Sequence, residues 1–132
     1  MIVLDTSGVV ALLDRADANH AGALGAVRRE RQPLLVPTAI MAEIAFVLQV
    51  RAGDRAVLAF LDSIVGGTTH WSCGEDDLPR VRSLMVRYAD LPLGYADATV
   101  VACAERSGGK VLTFDLRHFG VVSREARITI VP

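Results

Sequence analysis

Short apolar runs recur along the chain and alternate with longer segments of helical periodicity. Runs this short are typical of strands buried on both faces, as in parallel sheets covered by helices. Strands are predicted at residues 2–4, 34–36, 110–114 and 127–131, the last at a sheet edge, and also at the more polar residues 68–71. Because strands and helices alternate throughout, we predict an α/β fold with a mostly parallel sheet of four to five strands covered on both faces.

The segments between these runs predict helices over residues 9–13, 18–31, 39–51, 55–65, 75–88 and 95–107. Thr6 and Ser7 are the expected N-caps of the first helix. The helix over residues 39–51 is apolar nearly all round, so we expect it in the interior. Glu43 is its only charge before Arg51. A lone buried carboxylate is costly unless it is protonated, bound to a cation or paired, for example with a distant arginine.

The chain has 132 residues, which suits a single domain spanning residues 1–132. No apolar run approaches the length of a membrane span, and no basic region precedes the strand at Ile2, so neither a membrane segment nor a signal peptide is expected. Cys73 and Cys103 match no metal or redox spacing, and Cys103 falls in an apolar helical pattern as a small core residue. A reduced, cytoplasmic protein is the simplest expectation.

The formal net charge is −1, so the molecule as a whole is not a basic nucleic-acid-binding surface. Lys110 is nevertheless the only lysine, and the other basic residues are all arginines. Arginine suits phosphate and carboxylate groups, although a GC-rich genome would produce the same bias. Total charge therefore leaves the partner open.

Four carboxylates stand where strands end or helices begin. Asp5 and Asp115 each follow an apolar run, and Glu43 and Asp97 lie near the starts of apolar helices. Helix capping and the helix dipole explain Asp5 and Asp97 individually. In a parallel sheet, however, all four would lie at the same edge, where like charges raise one another's pKa values. Mg²⁺ or Mn²⁺ would relieve that repulsion, and such a site can activate water and stabilise phosphodiester displacement.

Other sites fit the sequence less well. There is no glycine-rich phosphate loop, and a phospho-aspartate hydrolase would need a second aspartate where Ser7 stands. A receiver domain could use Asp5 and Lys110 but leaves the helix around Glu43 without a role. A Ser/His/Asp triad stays open, although Ser7 lacks the glycines of a nucleophile elbow. A histidine-based zinc site is not expected, because the histidines are scattered, at His20, His70 and His118.

At these positions the chain resembles the PIN-domain nucleases, and within them the small toxins of VapBC toxin–antitoxin pairs. The resemblance extends over essentially the whole chain and rests on four motifs in order. They are Val3–Ser7, Val36–Thr38 continuing through Ala42-Glu43, Leu91–Ala98, and Leu112–Asp115 with Phe119 after it. The motifs are strong together because their order, their spacing and the chain length all match the family.

The resemblance implies a three-layer α/β/α sandwich and a Mg²⁺- or Mn²⁺-dependent endoribonuclease. It makes Asp5 and Asp97 the main direct metal ligands. Glu43 and Asp115 complete the catalytic site directly or through water, with one acid orienting the attacking hydroxide. By the same resemblance, Ser7 and Thr113 are expected to hydrogen-bond to these ligands without contacting the metal.

The resemblance also implies partners: an RNA substrate, a second copy in a homodimer, and a cognate VapB-type antitoxin that crosses the acidic groove. Arg117 and His118 are candidates for contacts with RNA phosphates, and an ordinary surface loop is the structural alternative. Two other functions stay open from the residues. One is a housekeeping RNA-processing nuclease without an antitoxin, and the other is an RNA-binding module without chemistry.

Overall fold

A computed structural model describes residues 1–132 and shows a five-stranded sheet with seven α-helices. The strands are β1 (Ile2–Leu4), β2 (Leu34–Pro37), β3 (Thr69–Ser72), β4 (Lys110–Leu112) and β5 (Thr129–Val131). Their order is β3-β2-β1-β4-β5, and every neighbouring pair is parallel. The predicted α/β class is confirmed, and the sheet is wholly rather than mostly parallel.

The helices are α1 (Thr6–Leu13), α2 (His20–Glu30), α3 (Met41–Ala52), α4 (Asp54–Val65), α5 (Leu78–Arg87), α6 (Tyr95–Arg106) and α7 (Leu116–Val122). Two 3₁₀ turns, Thr38–Ile40 and Glu75–Asp77, precede α3 and α5. Helix α7 was not expected from the sequence. No helix combines the length and the apolar composition that crossing a bilayer requires.

Strand β1 forms the centre of the core. Ile2 and Val3 have no exposed surface, and Val111 of the neighbouring β4 is equally buried. Helix α6 packs against β1 and β4, and its residues 98–104 are all buried. Burial of this long apolar stretch holds the start of α6, with Asp97, beside the end of the central strand.

The expectation that the helix over residues 39–51 lies in the interior is wrong. In α3, Ile44 and Leu48 are buried, whereas Phe46 is 67% exposed and Val50 is 70% exposed. The helix packs one face against α1 and α4, and no further layer covers the opposite face. An apolar composition alone does not specify how many neighbours a helix has.

The predicted capping roles of Thr6 and Ser7 are also wrong. Helix α1 already begins at Thr6, and Asp5 occupies the N-cap position without a capping hydrogen bond from its side chain. The Ser7 hydroxyl is directed to Asp5 and to the segment after β4 instead. The polar side chains between β1 and α1 therefore contact one another and the segment after β4, rather than capping the N-terminus of α1.

The two cysteines are joined. A disulfide links Cys73, directly after β3, to Cys103 in α6, with 5.6 Å between their Cα atoms. This overturns the expectation of two reduced thiols and of Cys103 as a simple core residue. The cysteines are 30 residues apart in sequence, and only the fold brings the end of β3 against α6.

Candidate functional site

The carboxyl edge of the sheet forms a groove of about 510 Å³ at the end of β1. Five acids line it: Asp17 and the four that we call the acid cluster, which are Asp5, Glu43, Asp97 and Asp115. Asp5 follows β1, Asp115 follows β4, and the other two lie in the first turns of α3 and α6. The structure therefore brings together the four acids that the sequence singled out.

Asp5 is buried and held by two hydroxyl groups. Ser7 Oγ and Thr113 Oγ1 each donate a hydrogen bond of 2.8 Å to Asp5 Oδ2. The same hydroxyls accept hydrogen bonds from the backbone N–H groups of Phe114, at 3.0 Å, and Asp115, at 3.1 Å. Because a hydroxyl carries a single proton, both hydroxyls are directed to Asp5 and fix its carboxylate between β1 and β4.

Gly8 permits the close packing behind this arrangement. A Cβ atom at this position would lie 2.4 Å from the Leu112 carbonyl oxygen, well inside any normal contact. Any side chain here would force the first turn of α1 away from β4. The Ser7–Asp5–Thr113 hydrogen bonds span the contact between α1 and β4, so they depend on Gly8 having no side chain.

Asp97 forms a second group with Asp115 and His118. The His118 Nδ1 atom lies 2.9 Å from Asp97 Oδ2 and 3.9 Å from Asp115 Oδ2. Ligand atoms of these three residues all lie within 4.8 Å of one another, which is close enough to share one ion. The sequence indicates either an RNA contact or an ordinary surface loop for His118. The structure instead places it in α7 beside Asp97.

Burial raises the pKa values of two members of the cluster. For Asp5 the chief cause is burial, opposed by the hydrogen bonds from Ser7 and Thr113, and the charge of Asp97 raises the pKa further. For Asp97 the chief cause is again burial, opposed by His118, and the charges of Asp115 and Glu43 raise the pKa. The charged forms of Asp5 and Asp97 are therefore less favourable in the folded chain than in water.

Glu43 lies on the wall of the groove that α3 forms. Its side chain is exposed rather than buried, and its Oε2 accepts a hydrogen bond of 2.5 Å from Thr6 Oγ1. The expectation of a buried charge on α3 is therefore wrong, because α3 directs its first turn toward the groove. The alternative of an ion pair with a distant arginine is also absent, since no arginine lies within 4.0 Å of Glu43.

Other groove residues were not found from the sequence as site residues. Asp17 and Asn19, from the turn between α1 and α2, line the groove, and nothing in the sequence marked them. Arg51 also lines it. The sequence could have indicated Arg51 as a groove residue, because it follows Glu43 by eight residues and so lies on the same side of α3. Arg117 is exposed and lies in the first turn of α7 rather than in a loop.

The donor set of the acid cluster fits a hard divalent cation. It consists of carboxylate oxygens with one imidazole nearby, and no lysine or arginine lies within 4.0 Å of any of the four acids. Mg²⁺ and Mn²⁺ prefer such oxygen ligands. A cation would compensate the charges that the protein leaves uncompensated, which makes phosphate chemistry feasible at this edge.

Comparisons with known proteins give a consistent result. The model of the PIN domain family matches residues 2–125. Ribonuclease VapC26 from Mycobacterium tuberculosis is 30% identical over 135 residues, which cover 99% of this chain and 100% of that protein.

Two solved structures are similar in fold. The crystal structure of VapC20 from Mycobacterium tuberculosis, described as a sarcin-ricin loop cleaving toxin, superposes with a TM-score of 0.80 at 22% identity, covering 92% of this chain and 95% of that one. The crystal structure of FitAcB from Neisseria gonorrhoeae superposes with a TM-score of 0.64 at 15% identity, covering 100% and 97%. The family model and the 30% identical relative together show that the chain belongs to the PIN domain family.

Proposed function

We propose that this chain is a Mg²⁺- or Mn²⁺-dependent endoribonuclease and the toxin of a toxin–antitoxin pair, with residues 1–132 forming one PIN domain. The observation that carries the proposal is the convergence of four carboxylates without a lysine or arginine partner on one groove. Near-full-length similarity to a protein named as a ribonuclease supports the reaction class.

Asp5 and Asp97 would hold the cation, and Asp115 and Glu43 would complete the site. When bound, the cation supplies polarisation of the phosphodiester and a lowered pKa of water. Ser7 and Thr113 orient Asp5, because both donate to the same carboxylate oxygen. His118 orients Asp97 through its Nδ1 atom. These hydrogen bonds fix the direction of the carboxylates, and ligand orientation of this kind strongly affects metal affinity.

The proposed partners are an RNA substrate, a VapB-type antitoxin and a second copy of the chain. A cytoplasmic location goes with the proposed substrate, cellular RNA. Large apolar side chains on α3, α4 and α5 are exposed in the single chain and would be available for protein contacts. They include Phe46, Val50, Leu58 and Val86.

Incubation of the protein with total cellular RNA and Mn²⁺, with and without EDTA, tests the reaction. We expect discrete cleavage products that EDTA abolishes, and mapping of their ends identifies the RNA target. Asp97→Asn should be inactive, because it removes a ligand charge. Asp90→Asn should cut like wild type, because Asp90 is exposed in the loop before α6 and does not line the groove.

RNA binding without any cleavage, unaffected by EDTA, would contradict the proposal and favour a binding module. Cleavage that persists in EDTA or in Asp97→Asn would contradict the assigned site. Growth arrest on expression, relieved by co-expression of the neighbouring reading frame, separates a toxin from a housekeeping nuclease.

A further inference from the structure

Helix α3 extends one wall of the groove well beyond the acid cluster. Glu43, Val47 and Arg51 all line the groove. They are spaced four residues apart, so they follow one another along one face of the helix. At a rise of 1.5 Å per residue, Arg51 lies about 12 Å along the axis from Glu43. The groove therefore changes along α3 from an acidic end to a cationic end.

A second arginine enters the groove from the other wall. Arg117 lies in the first turn of α7, two residues after Asp115, and its side chain is exposed. Helix α3 follows β2 and α7 follows β4, and these strands lie on the two sides of β1. The arginines thus approach the end of β1, and with it Asp5, from opposite sides.

Neither arginine has a partner within the chain. Arg80, Arg87 and Arg106 each form an ion pair with an acid, whereas Arg51 and Arg117 form none. The groove nevertheless offers five carboxylates, including Asp17, as possible partners. Both guanidinium groups are free to bind a ligand.

A strand of RNA needs such cations at this site. Each phosphate carries a negative charge, and the acid cluster repels every phosphate except the one that a bound cation neutralises. Arginine forks bind phosphate oxygens in a bidentate manner and supply the missing attraction. Cations on both sides of the cluster would hold the phosphates that flank the cleaved one.

We propose that Arg51 and Arg117 bind RNA phosphates on opposite sides of the scissile phosphodiester, so that the strand crosses the acid cluster from the wall of α3 to the wall of α7. This inference rests on the proposed ribonuclease function. It makes Arg51, in addition to Arg117, a substrate-binding residue.

The structural alternative for Arg51 is the helix dipole, because it lies in the last turn of α3. That role predicts lower stability and unchanged RNA binding when Arg51 is replaced. Arg55 is the matched control, since it is also an exposed arginine, lies four residues further along the chain at the start of α4, and does not line the groove.

The test measures binding of a fluorescent single-stranded RNA, which spans the mapped cut site, to the inactive Asp97→Asn protein at several salt concentrations. We expect Arg51→Ala and Arg117→Ala each to weaken binding about tenfold and to reduce the salt-dependence slope by about 0.7, the value for one phosphate contact on a single strand. Arg55→Ala should match its parent. In the active protein, Arg51→Ala should raise KM and change kcat little, because the contact is equally strong in the ground state and the transition state.

Equal binding and equal salt slopes for Arg51→Ala and Arg55→Ala would overturn the inference even if wild-type protein cuts RNA in Mn²⁺. Thermal denaturation of each variant ensures that binding is compared between folded proteins. Failure of the wild-type protein to cut any RNA in Mn²⁺ would instead reject the proposed function, and the inference with it.

Discussion

Acids occur in two contrasting settings in this molecule. In the turn before α5, in α6 and in the segment after α7, acids are matched with arginines: Asp77 with Arg106, Glu105 with Arg80, and Glu125 with Arg87. In the acid cluster, four carboxylates converge, and the only basic side chain within 4.0 Å of any of them is His118. The paired acids balance their charges within the chain, whereas the acid cluster has no lysine or arginine partner within 4.0 Å.

The pKa values shift in opposite directions in the two settings. The pKa of Glu125 is lowered, chiefly by hydrogen bonds from Tyr88 and Arg87. The pKa values of Asp5 and Asp97 are raised, chiefly by burial. Pairing stabilises the charged carboxylate, and burial without a cation destabilises it. Among these three acids, the direction of the pKa shift separates the paired Glu125 from the two buried candidate ligands, Asp5 and Asp97.

The largest expected effect is loss of cleavage in Asp5→Asn. The amide keeps the shape of the side chain but removes the charge that attracts a cation. Because a catalytic metal contributes several kcal/mol to transition-state stabilisation, the rate should fall by about 10³-fold or more. Single-turnover cleavage of the mapped RNA in Mn²⁺ measures it. Asp62→Asn, an exposed acid on α4, is the control and should keep the wild-type rate. Retained activity in Asp5→Asn would place the chemistry elsewhere.

The second effect concerns stability on the side of the molecule where the acids are paired. Reduction of the Cys73–Cys103 disulfide should lower the free energy of unfolding by about 3–4 kcal/mol, because it releases a loop between cysteines 30 residues apart. Urea denaturation with and without a reductant measures the change. In the double variant Cys73→Ala/Cys103→Ala the reductant should have no effect. A wild-type midpoint that is insensitive to reductant would contradict the prediction.

A smaller effect follows from the raised pKa values of the acid cluster. The ordinary pKa of an aspartate is 3.8, and the folded chain holds that of Asp5 above it. The stability associated with the protonated carboxyl is fully present below 3.8 and is lost as the pH rises through the raised, folded-state pKa. In EDTA, wild type should therefore lose stability relative to Asp5→Asn between acidic and neutral pH. Thermal denaturation over this range checks the sign, and a difference that is constant with pH would contradict it.

The smallest effect is expected where an acid is already paired at the surface. In Glu105→Gln the ion pair with the half-exposed Arg80 is lost, and exposed pairs contribute about 0–1 kcal/mol. Both the unfolding midpoint and the RNA cleavage rate should stay close to wild type. A strong loss of cleavage would break the distinction between paired acids and the acid cluster.

The sequence predicted the alternation of strands and helices because parallel strands here are short, apolar and separated by periodic segments. It also predicted that Asp5 and Asp115 lie at the same edge of the sheet, because both follow strands and the carboxyl ends of parallel strands meet at one edge. Helix α7 was missed because it has only seven residues and buries few of them, notably Phe119 and Val122. Such a segment has too few turns for periodicity to be read.

What remained hidden depends on contacts between distant parts of the chain. Nothing near Cys73 or Cys103 in sequence indicates that β3 ends against α6. The exposed face of α3 depends on how many layers cover it, which composition does not specify. His118 reaches Asp97 only because α7 follows Asp115 as a helix. Local sequence predicted most of the strands and helices, and the fold determined where α1 begins and which side chains meet at the sheet edge.

The most direct test of the contrast between the paired acids and the acid cluster is calorimetric titration of the metal-free protein with Mn²⁺ at neutral pH. Wild type and Glu105→Gln should bind Mn²⁺ alike. Asp5→Asn should bind at least tenfold more weakly, because a buried carboxylate supplies part of the ligand charge. Binding to Asp5→Asn as tight as to wild type would contradict the assignment of the acid cluster as a metal site.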